Sequence, residues 1–98
     1  MEILHSGIAG TLESGDIMIT VEPAVQEGIR IDLSSPVLQQ YGRHIKAQIE
    51  AALKNAGVEQ ASVTAVDKGA LDCTIFARTS AAALRAADEK ALNWEVKA

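Results

Sequence analysis

One long amphipathic helix is written between Ser34 and Gly57, and every other element has to be arranged around its apolar side. The Ser34-Ser35-Pro36 triplet marks its start. A serine there accepts a hydrogen bond from an N–H that the first turn leaves unpaired, and proline suits the first helical position. Leu38, Tyr41, Ile45, Ile49, Ala52 and Leu53 then recur at three- and four-residue steps, one apolar stripe over about five turns. Arg43, Lys46, Gln48, Glu50 and Lys54 take the wet side, and Gly57 supplies the stop.

A striped helix needs a surface to bury its stripe against, and the flanking segments read as strands. Ile17, Ile19 and Val21 share one face of a strand, with Met18 and Thr20 on the other. Pro23 to Gly28 interrupts, and Ile29-Arg30-Ile31-Asp32-Leu33 alternates again, so the short connector predicts a hairpin. After the helix, Ala61 to Val66 is β-branched at alternate positions, and Asp67-Lys68-Gly69 is a turn signal. Leu71, Cys73, Ile75 and Ala77 would mark one face of a further strand, with Asp72, Thr74, Phe76 and Arg78 on the other, giving a second hairpin. Thr79 or Ser80 would cap a last, Ala-rich helix with Leu84 and Ala87 inside. Residues 1–10 read as a flexible lead-in or a short edge strand, and residues 92–98 as a tail whose Trp94 docks on the body. The expected fold is α+β: a mainly antiparallel four-stranded sheet with two helices packed on one face, in the order strand-strand-helix-strand-strand-helix, forming one domain over residues 1–98.

Composition narrows the function. A net charge of −4, with no basic stripe and with Tyr41, Phe76 and Trp94 apart from Lys and Arg, argues against nucleic-acid binding. The first residues hold no apolar run long enough for a signal peptide or a membrane span, and the lone Cys73 cannot close an internal disulfide. Both point to the cytoplasm. His5 and His44 have no Cys, His or carboxylate at ligand spacing, so no metal site is expected. His44 reads as solvated on the polar side of the long helix, and Cys73, between Leu71 and Ile75, as a small core hydrophobe. Gly7 and Gly10 form no phosphate loop. A nucleophilic serine would need His5 or His44 brought beside Ser14, and no Gly-x-Ser-x-Gly elbow supports it.

What remains is Glu13-Ser14-Gly15-Asp16, which by residue type alone is a tight turn. Its setting also suits a modified serine. A strand follows it, Gly15 has no side chain to shield the hydroxyl, and Glu13 and Asp16 keep it wet. Exposed, glycine-bearing turns are usually mobile, and mobility is expected here.

Two segments carry a family resemblance. Ala9-Gly10-Thr11-Leu12-Glu13-Ser14-Gly15-Asp16-Ile17-Met18-Ile19 resembles the modification segment of citrate lyase acyl carrier (gamma) subunits. Asp67-Lys68-Gly69-Ala70-Leu71-Asp72-Cys73 resembles a second hallmark of that family, and the likeness extends to Leu92-Asn93-Trp94-Glu95. The resemblance implies a non-catalytic carrier with phosphoribosyl-dephospho-CoA joined to Ser14 by a phosphodiester, and Glu13, Gly15 and Asp16 as the flanks of the motif. It further implies a transferase (alpha) and a lyase (beta) subunit as partners in citrate fermentation, exchanging acetyl and citryl on the arm's thiol, and a prosthetic-group transferase that loads the serine. The malonate decarboxylase carrier, with a related Ser-Gly-Asp context, is the nearest rival, and a non-covalent assembly module the alternative outside the carrier class.

Overall fold

The protein is described by a computed structural model over residues 1–87. The chain order is β1 (Gly7–Ala9), β2 (Ile17–Glu22), β3 (Gly28–Ser34), α1 (Leu38–Asn55), β4 (Gln60–Asp67) and α2 (Asp72–Ala86). The tail and its Trp94 lie outside the described residues.

An α+β architecture with four strands and two helices is found, but the sheet is mixed rather than mainly antiparallel. Its order is β1-β2-β4-β3, with β4 antiparallel to β2 and parallel to β3. The parallel pair follows from α1 itself: a helix of 18 residues carries the chain back to the end where β3 began, so the next strand runs alongside β3 in the same direction. The first hairpin is therefore corrected. β4 sits between β2 and β3, and the connector after β2 passes the start of β4, where the Gln60 side-chain amide donates to the Ala24 carbonyl at 2.5 Å. Alternation shows which side of a strand is buried, and it carries no information on which strand lies next to it.

The second hairpin is corrected too. The expected strand over 71–78 is the first half of α2, and Thr79 lies inside that helix instead of capping it. Ile75, Thr79, Ala82, Ala83 and Ala86 recur at helical steps and form its buried side. Leu71 stands at the N-cap in extended conformation, and Asp72 in the first turn complements the helix dipole. Ala87 is buried as expected, whereas Leu84 is only half-buried. The missing strand is supplied by β1, the edge-strand alternative for the lead-in. It packs close under α2, because a side chain at Gly7 would strike the backbone of Ala82 and Ala86.

The core is one cluster. Ile17, Ile19 and Val21 of β2 and Ala61, Val63 and Ala65 of β4 meet Ile45, Ile49 and Leu53 of α1 and Ile75, Ala82 and Ala83 of α2. The stripe of α1 begins later than expected: Leu38 and Tyr41 are exposed, and the buried line runs through Gly42 to Ile45. The helix also starts two residues past Pro36, with the Ser35 hydroxyl accepting from the Val37 N–H at 3.2 Å. The opposite face of the sheet carries Thr20, Glu22, Ser62 and Thr64, as a half-covered sheet allows.

Candidate functional site

The β2–β4 ladder ends at the pair Ile17–Asp67, and two further bonds carry it into the serine turn. The Lys68 N–H donates to the Asp16 carbonyl at 2.8 Å, and the Gly15 N–H donates to the Lys68 carbonyl at 2.7 Å. The Asp16 N–H closes the turn on the Glu13 carbonyl at 3.0 Å. Ser14 and Gly15 are thus the central pair of a β-turn, and Gly15 has φ +86°, the left-handed value that this third position demands of glycine. Ser14 is exposed at the head of the turn, and a Cβ built on Gly15 would meet no atom within 4 Å.

Asp16 is the lock beneath this turn. Its carboxylate accepts from the Thr11 hydroxyl at 2.7 Å, the Ile17 N–H at 2.7 Å, and Arg78 Nε and Nη2 at 3.0 and 2.9 Å. The Arg78 fork reaches over from α2 in the bidentate arrangement that guanidinium and carboxylate favour. Hydrogen bonding to Arg78, then to Thr11 and the Ile17 N–H, holds Asp16 well below the usual carboxylate range, and Arg78 is pushed up in return. Thr11 Oγ1 also accepts from the Glu13 N–H at 3.2 Å, so both ends of the 11–16 segment are fastened to one carboxylate.

A second carboxylate supports the facing turn. Asp67 is only 2% exposed and accepts from the Gly69 and Ala70 N–H groups at 3.1 and 2.9 Å and from the Ser35 hydroxyl at 2.8 Å. It fixes the 67–70 turn to the start of α1. That turn in turn presents Lys68 to Gly15 and Asp16.

The other candidates are dispersed. His5 Nε2 lies 2.9 Å from the Arg85 carbonyl, and His44 Nε2 lies 3.0 Å from both Asp72 oxygens, so each imidazole is engaged away from Ser14. His44 is exposed as expected, yet it bridges α1 to α2 through Asp72. Cys73 is a correction: it is exposed, because a helix rather than a strand turns it outward. Among the described residues no group of three or more His, Cys, Asp or Glu could hold a metal, and no helix is long and apolar enough to cross a membrane.

Comparison with known proteins supports an acyl carrier. Residues 5–86 match the acyl carrier (ACP) family model described as malonate decarboxylase delta subunit (MdcD). The citrate lyase acyl carrier protein of Streptococcus equi subsp. zooepidemicus is 54% identical over 95 residues, spanning 97% of this chain and 93% of the relative. That of Lacticaseibacillus casei is 55% identical with the same coverage. Citrate lyase acyl carrier protein 2 of Salmonella paratyphi A is 47% identical over 94 residues, 96% of this chain and 97% of the relative. This chain belongs to the citrate lyase acyl carrier protein family.

Citrate lyase acyl carrier proteins are non-catalytic carrier subunits, and the expectation of a carrier rather than an enzyme rests on that membership. Within this family member, reasoning from sequence placed Ser14, Glu13, Gly15 and Asp16 on one turn, and they are together. It did not find Arg78, Thr11 or Asp67. Arg78 stands 62 residues from Asp16, and nothing local pairs them. The second hallmark segment was the available signal for Asp67, since it is the segment that holds the serine turn in place.

Proposed function

We propose that this chain is the acyl carrier subunit of a citrate lyase, with phosphoribosyl-dephospho-CoA joined through a phosphodiester to the Ser14 hydroxyl. The observation that carries this reading is an exposed hydroxyl at the head of a turn fastened at both flanks, in a chain related over nearly its whole length to citrate lyase acyl carriers. When bound, the group supplies a thiol on which acetyl and citryl are held as thioesters between the alpha (transferase) and beta (lyase) subunits.

The residues present fit such a group. Gly15 leaves the approach to Ser14 open for a prosthetic-group transferase. Arg78 neutralises Asp16, so a phosphodiester on the next residue but one meets a paired carboxylate and not a bare one. Glu13 is exposed beside the anchor, whereas Asp16, expected to keep it wet as well, is turned beneath it into the Arg78 pair. The chain's own work is positional: the Asp16–Arg78 and Asp67–Ser35 locks hold the anchor on a stiff sheet. An arm on that anchor visits both partner sites at an effective concentration set by its length. The cytoplasm is the compartment that suits this role.

A carrier of the malonate decarboxylase type is the second reading, favoured by the description of the matching family model; near-full-length relatives named for citrate lyase outweigh it. Reconstitution with the alpha and beta subunits tests the proposal. Ser14→Ala is expected to assemble normally and to support no citrate cleavage. Full activity of the assembled variant would leave only a non-covalent assembly role.

A further inference from the structure

Beside the serine turn lies a cleft of about 410 Å³ between β1 and the outer side of α2, a volume within the range of small-ligand sites. Its floor is small: Ala9 of β1 with Thr74, Ala77 and Ala81 of α2. Its charged side chains are Arg78 and Arg85; among the described residues that line it there is no carboxylate, and Asp16, paired with Arg78 at 2.9 Å, lies at its edge. The chain has net charge −4, and the larger clefts at the far end of the sheet carry Glu2, Glu50 and Glu59, with Lys54 as their one cationic side chain among the described residues. The two arginines are seven residues apart, about 10 Å along the helix. Arg78 spends Nε and Nη2 on Asp16, leaving Nη1 uncommitted to that pair, and Arg85 is steadied by Nη1 donating to the Ile8 carbonyl at 2.6 Å. Among the described residues neither fork is fully used, and one of them already touches the turn that bears Ser14.

We infer that the cleft between β1 and α2 binds the phosphorylated ribonucleotide portion of the arm carried on Ser14, with Arg78 and Arg85 as the phosphate-binding residues. This rests on the reading of Ser14 as the anchor. The phosphodiester at Ser14 falls to Arg78, and the arm's diphosphate, beyond the linked riboses, falls to Arg85. Dephospho-CoA carries that diphosphate and so probes the Arg85 half of the site. Guanidinium is the side chain suited to phosphate. Such a resting place shortens the freely swinging part of the arm to its pantetheine end, leaving the thiol to sample the partner sites.

The test uses the bare, full-length protein and free dephospho-CoA, so the state of Ser14 does not enter. A tethered ligand is present at an effective concentration of about a millimolar, so a useful site needs a dissociation constant near or below that value. Amide NMR shifts are followed as dephospho-CoA is added to several times that level, roughly 5 mM. The inference predicts saturable shifts along Ala9, Ala77, Ala81 and Arg85. Arg85→Gln and Ala77→Glu, both on the exposed side of α2, should each weaken binding by about tenfold, and inorganic phosphate should compete only weakly. No saturation, shifts scattered over the whole surface, or unchanged affinity in both variants would overturn it. Failure of Ser14 to carry an arm in the native host is a separate result, read by mass, and refutes the anchor and not the nucleotide site.

Discussion

Replacing Asp67 should loosen the whole attachment end, and its cost can be worked from its three partners. In Asp67→Ala, the Ser35 hydroxyl and the Gly69 and Ala70 N–H groups lose their acceptor. A buried donor left unpaired costs about 1–3 kcal/mol. Gly69 is exposed, so water takes over there, while Ser35 and Ala70 are half-buried and fall at the low end of that range. Adding the lost charge-assisted bonding gives a total of about 2–4 kcal/mol. For a domain of this size that is a fall of about 10–20 °C in melting midpoint. Asp67→Asn keeps one oxygen for the two N–H groups and should cost only about 1 kcal/mol. Urea and thermal unfolding followed by circular dichroism measure both. Because the 67–70 turn holds Gly15 and Asp16 through Lys68, hydrogen exchange of the Gly15 amide should also quicken in Asp67→Ala, well before global unfolding. Stability within about 0.5 kcal/mol of the parent, which is what ordinary surface changes produce, would refute the reasoning. So would an alanine variant more stable than the asparagine one.

Other expectations follow from the same geometry. Gly15→Ala meets no steric obstacle but must hold φ +86°, so it should destabilise by about 1–2 kcal/mol, with Gly15→Asn milder; equal stability of all three by urea titration would contradict the turn described. Asp16 has a folded pKa depressed below its unfolded value of about 3.9, so its contribution is present above that pH and fades as the pH falls toward the folded value. Arg78→Gln should therefore flatten the acid limb of stability below about pH 4, and an unchanged limb would contradict the pairing. Cys73 is exposed, so the native chain should react with a thiol reagent as fast as the denatured chain; a thiol that reacts only after unfolding would restore the buried-strand reading.

The parts legible in the sequence were those fixed by neighbours along the chain. The long helix, strand β2, strand β3 and the turn around Ser14 each rest on spacing or turn chemistry, and each is present. Errors arose where two periods coexist. From Leu71 to Arg78 the apolar residues alternate as in a strand, yet Ile75, Thr79, Ala82 and Ala86 also satisfy a helix, and tertiary packing against β1 and β2 selects the helix. Sheet order was illegible because both β2–β3 adjacency and insertion of β4 bury the same residues, and only the crossover through α1 distinguishes them. The serine turn was readable in its four residues. Its locks were not, because Arg78 and Ser35 reach it from elements far away in sequence.

The most direct measurement is the intact mass of the chain purified from its own host together with its modifying enzymes, with fragments mapped to locate any added group. The parent should carry a mass increment far larger than a phosphate, confined to the peptide containing Ser14 and absent from Ser14→Ala. An unmodified mass in material that still supports citrate cleavage, or an increment on a different residue, would contradict the account.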